Sequence, residues 1–290
     1  MYGQIGASTF SKVYRTRRRS MIEFVAMRKV EKHHGNAVMH EVRALHALNH
    51  HPNVMRFHAW YTTSNHIWVV TEYCAGGTLQ QLLSQDGPLP ESTVISFGLD
   101  VLAGMQHAHC HGVYVVDVRP RGILIDEYGL LKLSNFGQAR PNMDSAVSNP
   151  EWLSDAFGVR DAPSYIAPEL HAPGGVHSFA SEFWSFGCLL HEMASGRPPF
   201  SDGSKAERLD AVLHGAPPAL SRANEAFNHL LGALLRKHAL TRPSWETLLA
   251  HPFWKARVTA LPMPRQPLYE AWLKERGEEV VDSAADADEG

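Results

Sequence analysis

The chain has 290 residues, 44% of them hydrophobic, enough apolar surface for a core of two packed lobes. Its 27 basic and 30 acidic side chains leave a net charge of −3, so bulk electrostatics favours neither nucleic acid nor an acidic membrane as partner. Three scattered cysteines, no basic-then-apolar leader in MYGQIGASTF and no apolar run of spanning length exclude a disulfide framework and predict a soluble cytoplasmic protein.

Residues 2–71 read as short strands around one helix. SKVYRTRR and IEFVAMRKV are rich in β-branched and apolar residues and separated by a polar turn, with Arg17–Arg19 as a solvated hairpin tip. AVMHEVRALHAL places Val38, Val42, Leu45 and Leu48 at helical spacing, and HHPNV closes that helix. A joint at 72–77 leads into long helical stretches over 78–254: ESTVISFGLDVLAGMQHAHCHG, SFASEFWSFGCLLHEMAS and NEAFNHLLGALLRKHAL. The fold class is α+β, a small strand-rich lobe followed by a large helical one. In the extension 255–290, LYEAWL pairs Leu268 with Trp272 and Tyr269 with Leu273, predicting a short docked helix, and the acidic end EEVVDSAADADEG is expected to be disordered. His107, His109 and His111 stand close together, but nothing nearby completes a four-ligand zinc set, so they read as helix-end surface histidines.

Seven short segments follow in a fixed order: GASTFSKV, VAMR, HEV, EYC, VVDVRPRG, NFG and APE. Together they resemble the phosphate loop, lysine strand, helix acid, hinge, catalytic loop, metal motif and A-P-E motif of protein kinases. The resemblance covers residues 2 to about 254. FHAWYTTSNHIWVV, DVRPRGILID and KLSNFGQAR are most similar to the Unc-51-like/Fused branch, above all to its fourth Unc-51-like group of ciliary pseudokinases. That likeness implies a bilobal kinase fold, and a role in cilium or flagellum assembly with a Fused-type kinase and ciliary proteins as partners.

The resemblance also assigns residues to a nucleotide site. The phosphate loop keeps Gly6 alone, with Ser8 and Ser11 at the other glycine positions, which weakens backbone contact with phosphate. Arg28 stands for the usual lysine and Glu41 for the helix acid that pairs with it; arginine is a permanent cation but not a like-for-like replacement. Lys32 shares strand parity with Arg28 and would reach the same cleft if the strand extends that far, while Lys29 would face away. Thr71 takes the gatekeeper position, and the Glu72 carbonyl and Cys74 N–H would meet the adenine edge between Val13 and Ala26 above and Leu124 below.

In the catalytic loop Asp117 matches the base and Arg119 the residue that holds the transferring phosphate, but Gly122 replaces the metal-binding asparagine. Asn135 replaces the aspartate that would bridge magnesium to phosphate, leaving a poor site for a hard cation. Parts serving the fold are kept: Glu169 of APE with its partner Arg242, Glu182 in place of the aspartate that supports the catalytic loop, and an apolar column of Leu45, Phe57, Val115 and Phe136. Ala162 removes the threonine hydroxyl that would contact Asp117. The expectation is a pseudokinase that binds ATP, with magnesium weakly bound or not required, and works as a scaffold or allosteric partner. Two alternatives stand beside it: a weak serine/threonine kinase using Asp117, Lys32 and Arg119, and a structural module with an empty cleft.

Overall fold

Alternation of apolar and polar residues in the first 72 positions is met by five antiparallel strands: β1 (Gly3–Ala7), β2 (Ser11–Arg18), β3 (Glu23–Glu31), β4 (Phe57–Thr62) and β5 (His66–Glu72). The computed structural model describes residues 3–7, 11–18, 23–137, 140–141, 163–172, 175 and 177–255. The strand order is β1-β2-β3-β5-β4. β2 and β3 pair without a break from Ser11↔Val30 to Arg18↔Glu23, and this register sets Arg28 between Val13 on one side and Val69 on the other. Arg17 and Arg18 are exposed at the end of β2; Arg19 lies outside the described residues.

Helix α1 (Gly35–Ala47) turns Val38, Val42, Ala44 and Leu45 inward, as its 3.6-residue spacing requires. The segment after it ties the lobes together. Met55 N–H donates to Leu133 O at 2.9 Å, and the buried Asn53 side chain donates to Leu131 O at 3.0 Å.

After Glu72 the chain runs through the hinge into α2 (Leu79–Asp86), whose first turn is closed by a reciprocal pair between Thr78 and Gln81. Gly76 is required here, since a Cβ at this position would sit 2.8 Å from Ile125 Cβ. Its N–H donates to Ile125 O, and Ile125 N–H donates back to Gly77 O, both at 2.9 Å. The large lobe follows with α3 (Glu91–Cys110), the pairs β6 (Val113–Tyr114) with β9 (Arg140–Pro141) and β7 (Ile123–Ile125) with β8 (Leu131–Leu133), then α4 (Phe179–Ser195), α5 (Lys205–Leu213), α6 (Glu225–Leu234), α7 (Trp245–Leu249) and α8 (Pro252–Lys255). Helix α4 is buried from Ser181 to Met193 and forms the axis of this lobe. An all-round buried helix of this kind accounts for the apolar run FWSFGCLL. No helix among the described residues is long and apolar enough to cross a membrane.

One reading of α3 is corrected. His109 is not a surface histidine: it is buried, its Nε2 lies 2.7 Å from Glu182 Oε2, and its ring stacks on Phe179. His107 and His111 stay at the helix end, their rings 4.3 Å apart. Among the described residues no group of three or more histidine, cysteine or acidic side chains is placed to hold a metal ion. LYEAWL and the acidic end lie outside the described residues.

Candidate functional site

The two lobes enclose a cleft of about 710 Å³. Its roof comes from the sheet, where Gly6 on β1, Val13 on β2 and Ala26 on β3 face inward; Thr71, Glu72 and Cys74 form the hinge wall, and Leu124 on β7 the floor. This is an apolar slot beside a row of backbone donors and acceptors, the form a planar heteroaromatic ring requires. The Glu72 carboxylate is bound on both oxygens, accepting from Arg56 N–H at 2.6 Å and meeting Lys132 Nζ at 3.2 Å. Burial, with Glu72 adding to it, pushes the Cys74 thiol up, so it stays protonated at neutral pH.

Toward the inner end of the cleft, Arg28 Nη2 donates to Glu41 Oε2, which fixes α1 against the sheet. Phe136 is fully buried in the same apolar cluster as Leu45, Phe57 and Val115, and it does not line the cleft. Lys29 points away and lies over the Trp68 ring.

Lys32 departs from the sequence expectation. β3 ends at Glu31, and Lys32 opens a 3₁₀ turn (Lys32–His34) that leads directly into α1. Strand parity stops with the strand, so Lys32 is exposed and does not line the cleft. Ser11 lines the cleft; Ser8 and Ala162 lie outside the described residues.

The catalytic loop is built on an unusual backbone. Val116 has φ 67°, a left-handed conformation that β-branched residues rarely adopt, and Asp117 N–H closes a tight turn onto Val115 O at 2.9 Å. Glu182, fully buried on α4, holds the turn by accepting from Val116 N–H at 3.0 Å. Its other oxygen takes His109. Because Trp245 Nε1–H donates to His109 Nδ1 at 3.0 Å, the proton of the neutral ring sits on Nε2 and is donated to Glu182. The sequence gives no local sign of this His109–Glu182 link, since its members are 73 residues apart.

Asp117 itself is 2% exposed. Arg119 donates through Nε to Oδ1 and through Nη2 to Oδ2, the latter at 2.8 Å. Asn135 Nδ2 adds a bond to Oδ2 at 2.6 Å. The sequence reading set Arg119 toward a transferring phosphate; here it is buried and its guanidinium is spent on Asp117 instead. Gly122 lies directly beneath, where a Cβ would stand 3.1 Å from Asn135 Cβ and 3.2 Å from Asp117 O. These residues do not fit magnesium. Gly122 offers no ligand atom, Asn135 offers only a neutral amide oxygen while its Nδ2 donates to Asp117, and the hard cation prefers charged oxygens.

Sequence reasoning passed over Arg121, which lines the cleft beside Ser134 and Asn135 with its Nη2 4.0 Å from Asp117 Oδ2. A count of cations in DVRPRG would have found it. Below the cleft, Arg242 makes two bonds to Glu169, at 2.8 Å and 2.7 Å, and Ser181 donates to the same carboxylate at 2.8 Å.

The protein kinase domain family matches residues 1–254. Over 272 residues the chain is 40% identical to the serine/threonine-protein kinase RUNKEL of Arabidopsis thaliana, covering 93% of this chain and 19% of the relative. It is 37% identical over 278 residues to the serine/threonine-protein kinase ULK4 of Mus musculus, covering 88% and 21%. Mouse serine/threonine-protein kinase 36 is 31% identical over 266 residues, covering 90% and 19%. The chain thus spans about a fifth of the length of these relatives. With the five-stranded lobe, the helical lobe and the cleft between them, these matches make the chain a member of the protein kinase domain family, in its Unc-51-like/Fused branch.

Proposed function

We propose that this domain binds an adenine nucleotide without transferring its phosphate, and acts through protein partners as a scaffold or allosteric element. The observation that carries the reading is the state of Asp117. A general base needs an oxygen within hydrogen-bond reach of the substrate hydroxyl. Both oxygens of Asp117 are instead bonded to Arg119 and Asn135, and the group is 2% exposed. Metal neutralisation of the phosphoryl group contributes roughly several kcal/mol to such a reaction, and each ~1.4 kcal/mol is tenfold in rate. A cleft without competent magnesium ligands forgoes that contribution. The adenine end keeps its slot and its backbone edge, so nucleotide binding survives the loss of chemistry.

A weak serine/threonine kinase is the second reading, favoured by the retained Asp117 and by relatives named as serine/threonine-protein kinases. Lys32, exposed beyond β3, lends it no support. Assembly of cilia or flagella beside a Fused-type kinase is the setting that the family resemblance supplies for a scaffold, and the cytoplasm its compartment. The test combines a thermal-shift titration of ATP, in chelator and in magnesium, with labelled phosphate incorporation into the protein and a generic serine/threonine substrate. The expected result is a rise in melting temperature with ATP in chelator, and no incorporation above an Asp117→Asn control. Incorporation above that control would establish the kinase; no thermal shift in either buffer would leave the structural module.

A further inference from the structure

A second groove, of about 530 Å³, opens in the large lobe where the loop before α3, the end of α4 and the loop before α6 meet. Leu89, Ala194 and Leu220 line it, with the buried Phe227 beneath them. Its walls are tied down. Leu89 N–H donates to Met193 O at 2.7 Å, Asn224 Nδ2 donates to Glu91 at 2.7 Å, and Asn228 holds Leu220 through both its N–H and its carbonyl, at 2.9 Å and 3.0 Å. The groove is therefore preformed, and none of the described residues fills it. Glu91 and the exposed Arg222 bring one charge of each sign to its lining.

The described chain ends beside this groove: in α8, Phe253 stacks on the Phe227 ring at 4.4 Å, and the helix closes at Lys255. Twelve residues, 256–267, then precede LYEAWL, a length that spans up to ~40 Å when extended. Pro267 and Gly277 bracket LYEAWLKER with residues that favour a helix start and a helix stop. Helical spacing puts Leu268, Tyr269, Trp272 and Leu273 on one face, with Glu270 and Lys274 one turn apart beside it. An apolar face flanked by one acid and one base is the complement of an apolar groove flanked by Arg222 and Glu91.

We infer that this groove is an intramolecular docking site whose occupant is the chain's own segment 268–273, its apolar face seated on Leu89, Ala194 and Leu220. A second copy of the chain carries the same segment, but a short linker holds the chain's own segment at an effective concentration of about millimolar, well above that of a dilute protein. The docked segment covers apolar surface and fixes the direction in which the chain leaves the large lobe. This inference is independent of nucleotide binding.

Hydrogen exchange on the 290-residue chain tests it, read at the Leu89 and Ala223 amides of the groove wall at two protein concentrations, in the parent, Trp272→Ala, Leu220→Asp and the double variant. Trp272→Ala should lower protection of both amides about tenfold and leave the amides of β3 unchanged. Leu220→Asp should lower protection at Leu89 to a similar extent, and the double variant should lose no more, as expected of two halves of one contact. Melting curves verify folding, and if Leu220→Asp does not fold, Trp272→Ala alone decides. Protection unchanged in Trp272→Ala overturns the inference. Losses that add in the double variant place the two residues in separate contacts and overturn it too. Protection in the parent that rises with protein concentration assigns the groove to a second copy, against the intramolecular reading.

Discussion

Asn135 donates its side-chain N–H to Oδ2 of Asp117 at 2.6 Å. The two residues occupy the positions where the family resemblance places a metal ligand and a base, and here they are bonded to each other. With Arg119 on the same carboxylate, they form a network in which the charge of Asp117 is balanced and both of its oxygens accept hydrogen bonds. A neutral donor at position 135 tolerates this proximity, whereas a second carboxylate there would be repelled.

That proximity predicts the effect of Asn135→Asp. Two like charges ~4 Å apart repel by up to about 4 kcal/mol at an effective dielectric near 20, and solvent leaves only part of this. One carboxyl of the pair would have its folded-state pKa raised above its unfolded value, so the mutant loses stability as pH rises through that interval. Melting curves from pH ~4 to pH ~8 should show a deficit against the parent that grows with pH. Calorimetry with ATP should show weaker binding in chelator, and magnesium should recover more affinity in the mutant than in the parent. A pH-independent deficit, or equal ATP binding in chelator, would contradict this account of Asn135.

Restoring both metal positions is not expected to restore transfer. A Cβ at position 122 would meet Asn135 Cβ at 3.1 Å and Asp117 O at 3.2 Å, and the second of these is backbone. Gly122→Asn should therefore cost about 1–3 kcal/mol in urea unfolding, the usual range for overpacking a tight site. The double variant Gly122→Asn/Asn135→Asp should incorporate no more labelled phosphate than an Asp117→Asn control. Transfer by the double variant would show that the loop can open to form a metal site after all.

The parts of the fold and cleft that were legible in the sequence are those that depend on local pattern or on motif order. Val38, Val42 and Leu45 declare a helix face by spacing alone, and the order of the kinase-like segments brings Arg28 to Glu41 and Glu169 to Arg242 across long stretches of chain. Three features depended on choices that spacing does not encode. Lys32 kept the parity of β3 on paper, but the chain turned one residue earlier to start α1. Arg119 had two chemically equivalent destinations, phosphate or Asp117, and burial decided for the acid two residues away. His109 is polar at the end of an amphipathic pattern and read as surface, until Glu182 and Trp245 met it from α4 and α7.

Glu169 offers a measurement of the ion pair that anchors the large lobe. Burial alone would raise its pKa, but the two Arg242 bonds and the Ser181 hydroxyl outweigh burial and bring it below the ordinary value of 4.5. An acid with a depressed folded-state pKa contributes stability that is present above the unfolded value and lost as pH falls through the folded one. Glu169→Gln should therefore be less stable than the parent at pH ~7, with the gap closing as pH falls below about 4.5. Unfolding in urea at several acidic pH values measures the gap, and a gap that persists unchanged at low pH would place the role of Glu169 in shape rather than charge.

Glu182 yields the sharpest test, because aspartate is the residue that the family resemblance leads one to expect at its position. The carboxylate is fully buried and bridges Val116 N–H at 3.0 Å and His109 Nε2 at 2.7 Å, with His177 Nδ1 4.0 Å from the oxygen that holds the turn. Val116 sits at φ 67°, a conformation that costs roughly 1–3 kcal/mol for a non-glycine residue and persists only where its surroundings enforce it. Aspartate is one methylene shorter, so it would hold the turn or the histidine but not both. The loss of one charge-assisted bond costs about 1.5–3 kcal/mol, and the vacated methylene removes about 0.8 kcal/mol of apolar burial. Glu182→Asp should thus destabilise the domain by about 2 kcal/mol or more, although it restores the residue usual for the family. Hydrogen exchange locates the damage: if the turn is what Glu182 holds, protection of the Val116 amide falls further than that of amides in α6, which are remote from the substitution. A Glu182→Asp protein as stable as the parent, with the Val116 amide equally protected, would mean that the turn is held by packing around Val115 and Val116 and that the longer acid serves His109 alone.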